Sequence, residues 1–244
     1  MKLLQLFGSL LWKTKAGLRS GSLTDEMRQG IINNFHQHYY DLGGKGGTWT
    51  NTRWFGTLVA KCPFDLWVYQ EIIHEIRPDL IVETGTATGG SALFMANICD
   101  LLQSGRILTV DVAEQPRPKH SRVKYVTDSS ISPAFVKQVE EECKHAKTVL
   151  VVLDSDHSRS HVLAEMRLFH RFVTTGSYLI VEDSNVAGHP VFPEHGPGPY
   201  EAIDDFMREN RDFEIDLDRQ KFMVTFNPNG YLKKTGSGGK AGKT

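Results

Sequence analysis

From residue 61 onward the chain alternates between two hydrophobic periods. Short continuous apolar runs fit strands covered on both faces, and segments with apolar residues every three or four positions fit helices packed on such a sheet. The pattern predicts a helix with Leu66, Tyr69, Ile72, Ile73 and Ile76 on its apolar face, capped by Asp65 and ended by Pro78. Strands are predicted over 80–83, 106–111, 123–126, 148–154 and 177–182, and helices over 91–102, 133–146, 161–173 and 199–210. Segments 213–217 and 222–226 read as two final strands joined by a charged turn, hence antiparallel. Alternating strand–helix units with an antiparallel ending predict an α/β fold built on a doubly wound sheet.

The expected organisation is a helical and loop lead-in over 1–60, one α/β domain over 61–234 and a disordered Gly/Lys-rich tail over 235–244. Within the lead-in, Leu3, Leu4, Phe7, Leu10 and Leu11 fall at helical spacing beside Lys2, Lys13, Lys15 and Arg19, without an acid before Asp25. Such a helix can dock on its own domain, on another subunit or on an anionic membrane surface. A signal peptide fits less well, because Lys13 and Lys15 follow the apolar run and no convincing cleavage site does.

The formal net charge of -1 gives no support for a nucleic-acid partner. Cys62, Cys99 and Cys143 are odd in number and lack metal-type spacing, which fits a reducing, cytoplasmic compartment. No apolar run is long enough to span a bilayer.

Chemistry concentrates where the predicted strands end. The stretch from Leu80 to Ser91 is a buried strand, an acid, a glycine turn and a helix start, with the spacing Glu83-x-Gly85-x-x-x-Gly89. Bare backbone N–H groups at such a turn can approach a nucleotide closely. The acid precedes the first glycine, and the turn lacks the second glycine of a dinucleotide fingerprint, which argues against a nicotinamide cofactor. The pattern resembles the first motif of S-adenosylmethionine (SAM)-dependent methyltransferases.

Asp111, at the second strand's end, is placed to accept both ribose hydroxyls of a nucleotide. Ser129 and Ser130 can contact adenine or cap the next helix. Asp154, Asp156, Glu182 and Asp183 gather at the fourth and fifth strand ends. Such carboxylates repel unless a cation joins them, and all-oxygen ligation favours Mg²⁺. Pairing with Arg159, Arg167 or Lys221 is the competing arrangement. His157 beside this cluster and His189 in the following loop are the candidate general bases.

Seven segments carry a more specific resemblance: 61–70 (Lys-Cys-Pro-Phe-Asp-Leu-Trp-Val-Tyr-Gln), 82–91, 153–158, 178–185, 188–190, 196–199 and 222–228. Together they make the chain similar to the cephalosporin hydroxylase/rhamnosyl O-methyltransferase family. The resemblance implies a seven-stranded Rossmann-like methyltransferase sheet with an antiparallel last strand, and a SAM-dependent, Mg²⁺-assisted O-methyltransferase, usually oligomeric. Its acceptor would be a small molecule or a glycolipid, for instance a rhamnosyl or other deoxyhexose unit. Carried onto this chain, the SAM set is Glu83, Gly85, Ser91 and Asp111; Thr86, Gly89, Ser129, Ser130 and Asp154 are further cofactor-binding candidates. By similarity to the β-lactam branch the metal set is Asp156, Glu182 and Asp183; the wider catechol-type enzymes place the first metal acid at Asp154, which is kept as the alternative to the preferred Asp156. The catechol-type enzymes also place a catalytic lysine where this chain has His157. An iron/2-oxoglutarate hydroxylase is the first alternative; its His-x-Asp/Glu element is missing, since no His here has an acid two positions later. A non-catalytic SAM-binding oligomeric module is the second.

Overall fold

The structure, a computed structural model, describes residues 23–41 and 47–236. The amphipathic pattern over 1–20 and most of the 235–244 tail lie outside the described residues. Within the lead-in, helix α1 (Asp25–Asp41) is followed by a small hairpin of β1 (Arg53–Trp54) and β2 (Thr57–Leu58).

Strand and helix then alternate through α2 (Pro63–Ile76), β3 (Leu80–Thr84), α3 (Gly90–Leu102), β4 (Arg106–Asp111), β5 (Val123–Thr127), α4 (Pro133–Cys143), β6 (Val149–Leu153), α5 (Arg159–Phe169), β7 (Tyr178–Val181), α6 (Pro199–Glu209), β8 (Phe213–Ile215) and β9 (Tyr231–Lys234). The seven-stranded sheet has the order β5-β4-β3-β6-β7-β9-β8. Strands β3 to β7 pair in parallel, and β9 runs antiparallel to both β7 and β8. This is the doubly wound α/β sheet with an antiparallel ending.

Several expected elements differ: the helices expected over 133–146 and 161–173 end at Cys143 and Phe169, and two further differences concern Asp65 and the segment 222–226. Asp65 does not cap α2: Cys62 holds the N-cap position, and Asp65 is buried one turn inside. The reason lies in the segment 222–226, which is not a strand. It folds as turns around Asp65, to which the Thr225 hydroxyl (2.5 Å), the Phe226 N–H (2.8 Å) and the Tyr231 hydroxyl (2.8 Å) donate. The last strand forms later, at Tyr231–Lys234. Helix α2 also stops one residue early, because Arg77 takes a left-handed conformation ahead of Pro78.

Strand alternation decides which residues reach which face. Leu80, Val82, Val149, Val151, Leu153, Leu179 and Val181 enter the core shared with α4, α5 and α6. Ile81, Leu150, Val152, Tyr178 and Ile180 enter the core under α2 and α3. Side chains two apart share a face. By the same parity Glu83, Asp154 and Glu182 all turn toward α2 and α3.

Candidate active site

The turn between β3 and α3 is wedged among three strand ends. The Gly85 and Thr86 N–H groups donate to the Val110 carbonyl at 2.8 and 3.2 Å, and the Thr88 hydroxyl donates to the Leu58 carbonyl at 2.5 Å. Gly85 has φ +82, and a Cβ there would lie 1.7 Å from the Asp154 carbonyl oxygen. A Cβ on Gly90 would lie 2.1 Å from the Leu58 carbonyl oxygen. Only glycine fits at both positions.

Glu83 anchors this turn from below. It is buried and takes hydrogen bonds from the Ser91 hydroxyl (2.5 Å) and the Thr109 hydroxyl (2.6 Å), and burial pushes its carboxyl up to about 7. Asp111 accepts the Ala87 N–H at 2.7 Å and the Ala113 N–H at 2.8 Å, so it braces the turn from the side.

A cleft follows the turn in two lobes of about 310 Å³ each, which share Gly85, Asp111 and Ser155. The first lobe is lined by Asp128, Ser129, Ser130, Asp156 and His161. The second is lined by Thr86, Ser91, Asp154, His157 and Asp183, with Tyr40 and Trp49 as its aromatic wall. Gly85, Thr86, Ser91, Asp111, Ser129, Ser130 and Asp154 therefore all border the cleft, whereas Glu83 and Gly89 lie behind its surface. Ser129 and Ser130 do not cap α4; Ser132 does, accepting the Phe135 N–H at 3.0 Å.

The acids separate in space. Ligand atoms of Asp154, His157 and Asp183 lie within 4.8 Å of one another. His157 Nε2 is 3.2 Å from Asp183 Oδ2. Asp183 has φ +53, a left-handed conformation uncommon outside glycine and typical of constrained sites. Asp156 does not join them: it turns back to accept the Ser158 N–H at 2.7 Å and borders the other lobe. Of the two candidates for the first acid, the structure brings Asp154, not the preferred Asp156, beside His157 and Asp183.

Glu182 is buried beside this group, and its Oε1 takes the Tyr69 hydroxyl and Lys61 Nζ, the latter at 2.8 Å. Lys61 Nζ also reaches Asp154 Oδ2 at 2.6 Å. The basic residues considered as partners pair elsewhere: Arg159 with Asp205, Arg167 with Glu209 and Lys221 with Glu71. Sequence reasoning assigned no site role to Lys61 and Tyr69, although the common parity of Glu83, Asp154 and Glu182 aims them at α2, which Lys61 precedes and Tyr69 belongs to.

Burial pushes the Asp154, Glu182 and Asp183 carboxyls above the usual range, although Lys61 opposes it in all three and His157 in the two aspartates. Burial pulls the His157 imidazole down, but Asp183 and Asp154 outweigh it and hold it above its ordinary value. His189 is placed otherwise. It stacks on Tyr200 at 3.9 Å and its Nε2 meets Glu201 Oε1 at 2.7 Å, apart from the acid group.

With this geometry in view, the comparisons with known proteins are specific. A family model described as rhamnosyl O-methyltransferase/CmcI matches residues 46–235. The chain belongs to this family. It is 40% identical over 209 residues to a rhamnosyl O-methyltransferase of Mycobacterium leprae, covering 83% of this chain and 90% of that protein. It is also 40% identical over 210 residues to the rhamnosyl O-methyltransferase of Mycobacterium tuberculosis strain H37Rv, covering 83% and 84%. Among solved structures, CmcI-N160 in its apo form aligns with a TM-score of 0.62 at 16% identity over 79% of each chain. CmcI-D160 with Mg and SAM aligns with a TM-score of 0.58 at 16% identity over 78% and 79%. These two likenesses show the fold of the family member.

Proposed function

We propose that this protein is a SAM-dependent, Mg²⁺-assisted O-methyltransferase acting on a sugar hydroxyl, with a rhamnosyl or other deoxyhexose unit as acceptor. One observation carries the reading: a cleft with a glycine turn and Asp111 at its centre ends in a group of half-buried carboxylates with an imidazole. The names of the mycobacterial relatives support the acceptor class. The Mg and SAM named for CmcI-D160 support the cofactors.

The residues present fit both groups. Carboxylate oxygens crowded together with a single lysine among them are the donor set of a hard divalent cation. One imidazole with several carboxylates does not match the two-histidine, one-carboxylate set of an iron hydroxylase. Asp154 and Asp183, whose ligand atoms lie together, would hold the ion, with the Glu182 oxygen not engaged by Lys61 and Tyr69 beside them. When bound, SAM supplies a methyl group on a sulfonium, and Mg²⁺ lowers the pKa of an acceptor hydroxyl.

This chain's own groups do the rest. The backbone of 85–90 and Ser91 hold the methionyl part, Asp111 accepts the ribose hydroxyls, and Ser129 and Ser130 border the adenine. His157 takes the acceptor proton, and Tyr40 and Trp49 narrow the second lobe against water. Fixing the acceptor oxygen in line with the transferred methyl is the main task of such a site.

Association of copies through α1 is supported by Met27, Ile31 and Phe35, about half exposed at positions i, i+4 and i+8. A contact of residues 1–20 with a membrane is supported by their apolar and basic pattern. Among the described residues no helix is long and apolar enough to cross a bilayer.

The test uses labelled SAM with rhamnosyl acceptors. Transfer should require Mg²⁺, stop in EDTA and return on adding Mg²⁺. Full transfer in EDTA would remove the metal from the reading, and no transfer to any sugar diol would remove the acceptor class.

A further inference from the structure

Lys61 belongs to none of the roles assigned above, yet it sits at the centre of the acid group. Its side chain is buried, and Nζ bridges Asp154 Oδ2 at 2.6 Å and Glu182 Oε1 at 2.8 Å. A buried ammonium with two carboxylate partners is held in place by charge and by direct hydrogen bonds. The position follows from the fold: Lys61 lies just before α2, over the ends of β6 and β7, where strand parity directs Asp154 and Glu182. Tyr69, two turns along α2, donates to the same Glu182 oxygen.

Two consequences follow from these contacts. Lys61 engages one oxygen of Asp154 and one of Glu182, which leaves the other oxygen of each for a different ligand. It also sets the charge: Asp154, Glu182 and Asp183 bring three negative charges, Lys61 returns one, and one divalent ion balances the remainder.

We propose that Lys61 is a resident cation of the acid group, which holds Asp154 and Glu182 in register before any metal arrives and fits the site to one divalent ion. The inference rests on the metal reading above and deepens it. Lys61 is a positioning residue, since it acts through Asp154 and Glu182 and takes no proton from the acceptor.

The experiment measures Mg²⁺ binding by calorimetry and the melting temperature in EDTA and in Mg²⁺, for wild type, Lys61→Met, Lys61→Arg and Tyr69→Phe. Wild type should bind one ion. Lys61→Met removes the repelling charge, so its Mg²⁺ affinity should rise by roughly tenfold or more, by the Coulomb term at partly buried separations. Its melting temperature should fall in EDTA and recover in Mg²⁺ by a larger step than wild type shows. Folding only when Mg²⁺ is present is the extreme form of the same result. Lys61→Arg keeps the charge and should restore wild-type affinity, and Tyr69→Phe removes a neutral donor and should leave affinity within about twofold, because the charge is unchanged.

If wild type binds no Mg²⁺, the metal reading falls and this inference with it. If wild type binds one ion while Lys61→Met has unchanged or weaker affinity, or melts lower by the same amount in both conditions, Lys61 is a structural ion-pair partner only. Failure of Lys61→Met to fold even in Mg²⁺ likewise makes Lys61 a structural partner only, and two ions on wild type would contradict the charge balance.

Discussion

Gly85 and the Asp154 carbonyl oxygen approach so closely that a methyl group on the glycine would sit 1.7 Å from that oxygen. This contact joins the cofactor turn to the acid group, since Asp154 begins the loop after β6. Gly85→Ala sets backbone against backbone, where no rotamer can relieve the clash, and places Cβ at φ +82. The expected loss is about 3 kcal/mol or more of folding stability, together with SAM binding. Urea unfolding and calorimetry with SAM read both. An alanine variant of wild-type stability would show that the turn does not press on Asp154.

Asp111→Asn tests the cofactor side with little change of shape. Asp111 already takes the Ala87 and Ala113 N–H groups, one on each oxygen. Its remaining lone pairs are those available to ribose hydroxyls, and an amide in its place turns one acceptor into a donor. SAM affinity should fall by about 1.5–3 kcal/mol, the range for hydrogen bonds to a charged group. Unchanged affinity by calorimetry removes Asp111 from the ribose contact.

Much of this arrangement was legible in the sequence, and the failures have physical causes. The strands β3, β4 and β6 announce themselves as continuous apolar runs ending in acids, and their ends place Glu83, Asp111 and Asp154 on one rim. The choice between Asp154 and Asp156 was not legible. Asp154 directly follows β6 and keeps its parity, whereas Asp156 lies two residues further on, where alternation no longer fixes direction; it follows the chain toward α5 and takes the Ser158 N–H. Segment 222–226 has strand composition but serves as a wrapping around Asp65, a tertiary demand that local pattern does not carry. Lys61 escaped notice because a lysine just before a helix usually reads as solvated.

His36 ties α1 to the loop that follows Asp183. Its Nε2 lies 3.0 Å from Asn185 Nδ2, and its ring stacks on Phe226 at 5.7 Å. Burial lowers its pKa to about 4. The unfolded chain takes up the proton near its ordinary value while the folded chain resists, so this contribution to stability is complete at neutral pH and drains away as pH falls toward 4. Between pH 7 and pH 5 the loss assignable to His36 should be about 2 kcal/mol by proton linkage. Urea unfolding of wild type and His36→Gln at both values checks it: the variant should lack this component. An identical acid dependence in the two proteins would show that His36 is not buried as a neutral ring.

His157 and Asp183 define the last expectation. With His157 Nε2 at 3.2 Å from Asp183 Oδ2, the imidazole is held above its usual range by Asp183 and Asp154, against the pull of burial. In the metal-free protein, NMR titration should therefore place His157 above about 6.5, the unperturbed histidine value. Mg²⁺ on Asp154 and Asp183 offsets the carboxylate charge that favours the proton, so the titration should move downward when Mg²⁺ is added. That shift has a consequence for catalysis, because a general base works only when neutral. The metal would favour the neutral form of His157 and so couple proton removal to the presence of the ion. His157→Ala should then cost roughly 10²–10⁴ in kcat, the usual range for general base catalysis, with SAM affinity retained. His189→Ala is the comparison, since its contacts are Tyr200 and Glu201. A full rate in His157→Ala with a collapsed rate in His189→Ala would transfer the role to His189, and a titration indifferent to Mg²⁺ would separate His157 from the metal altogether.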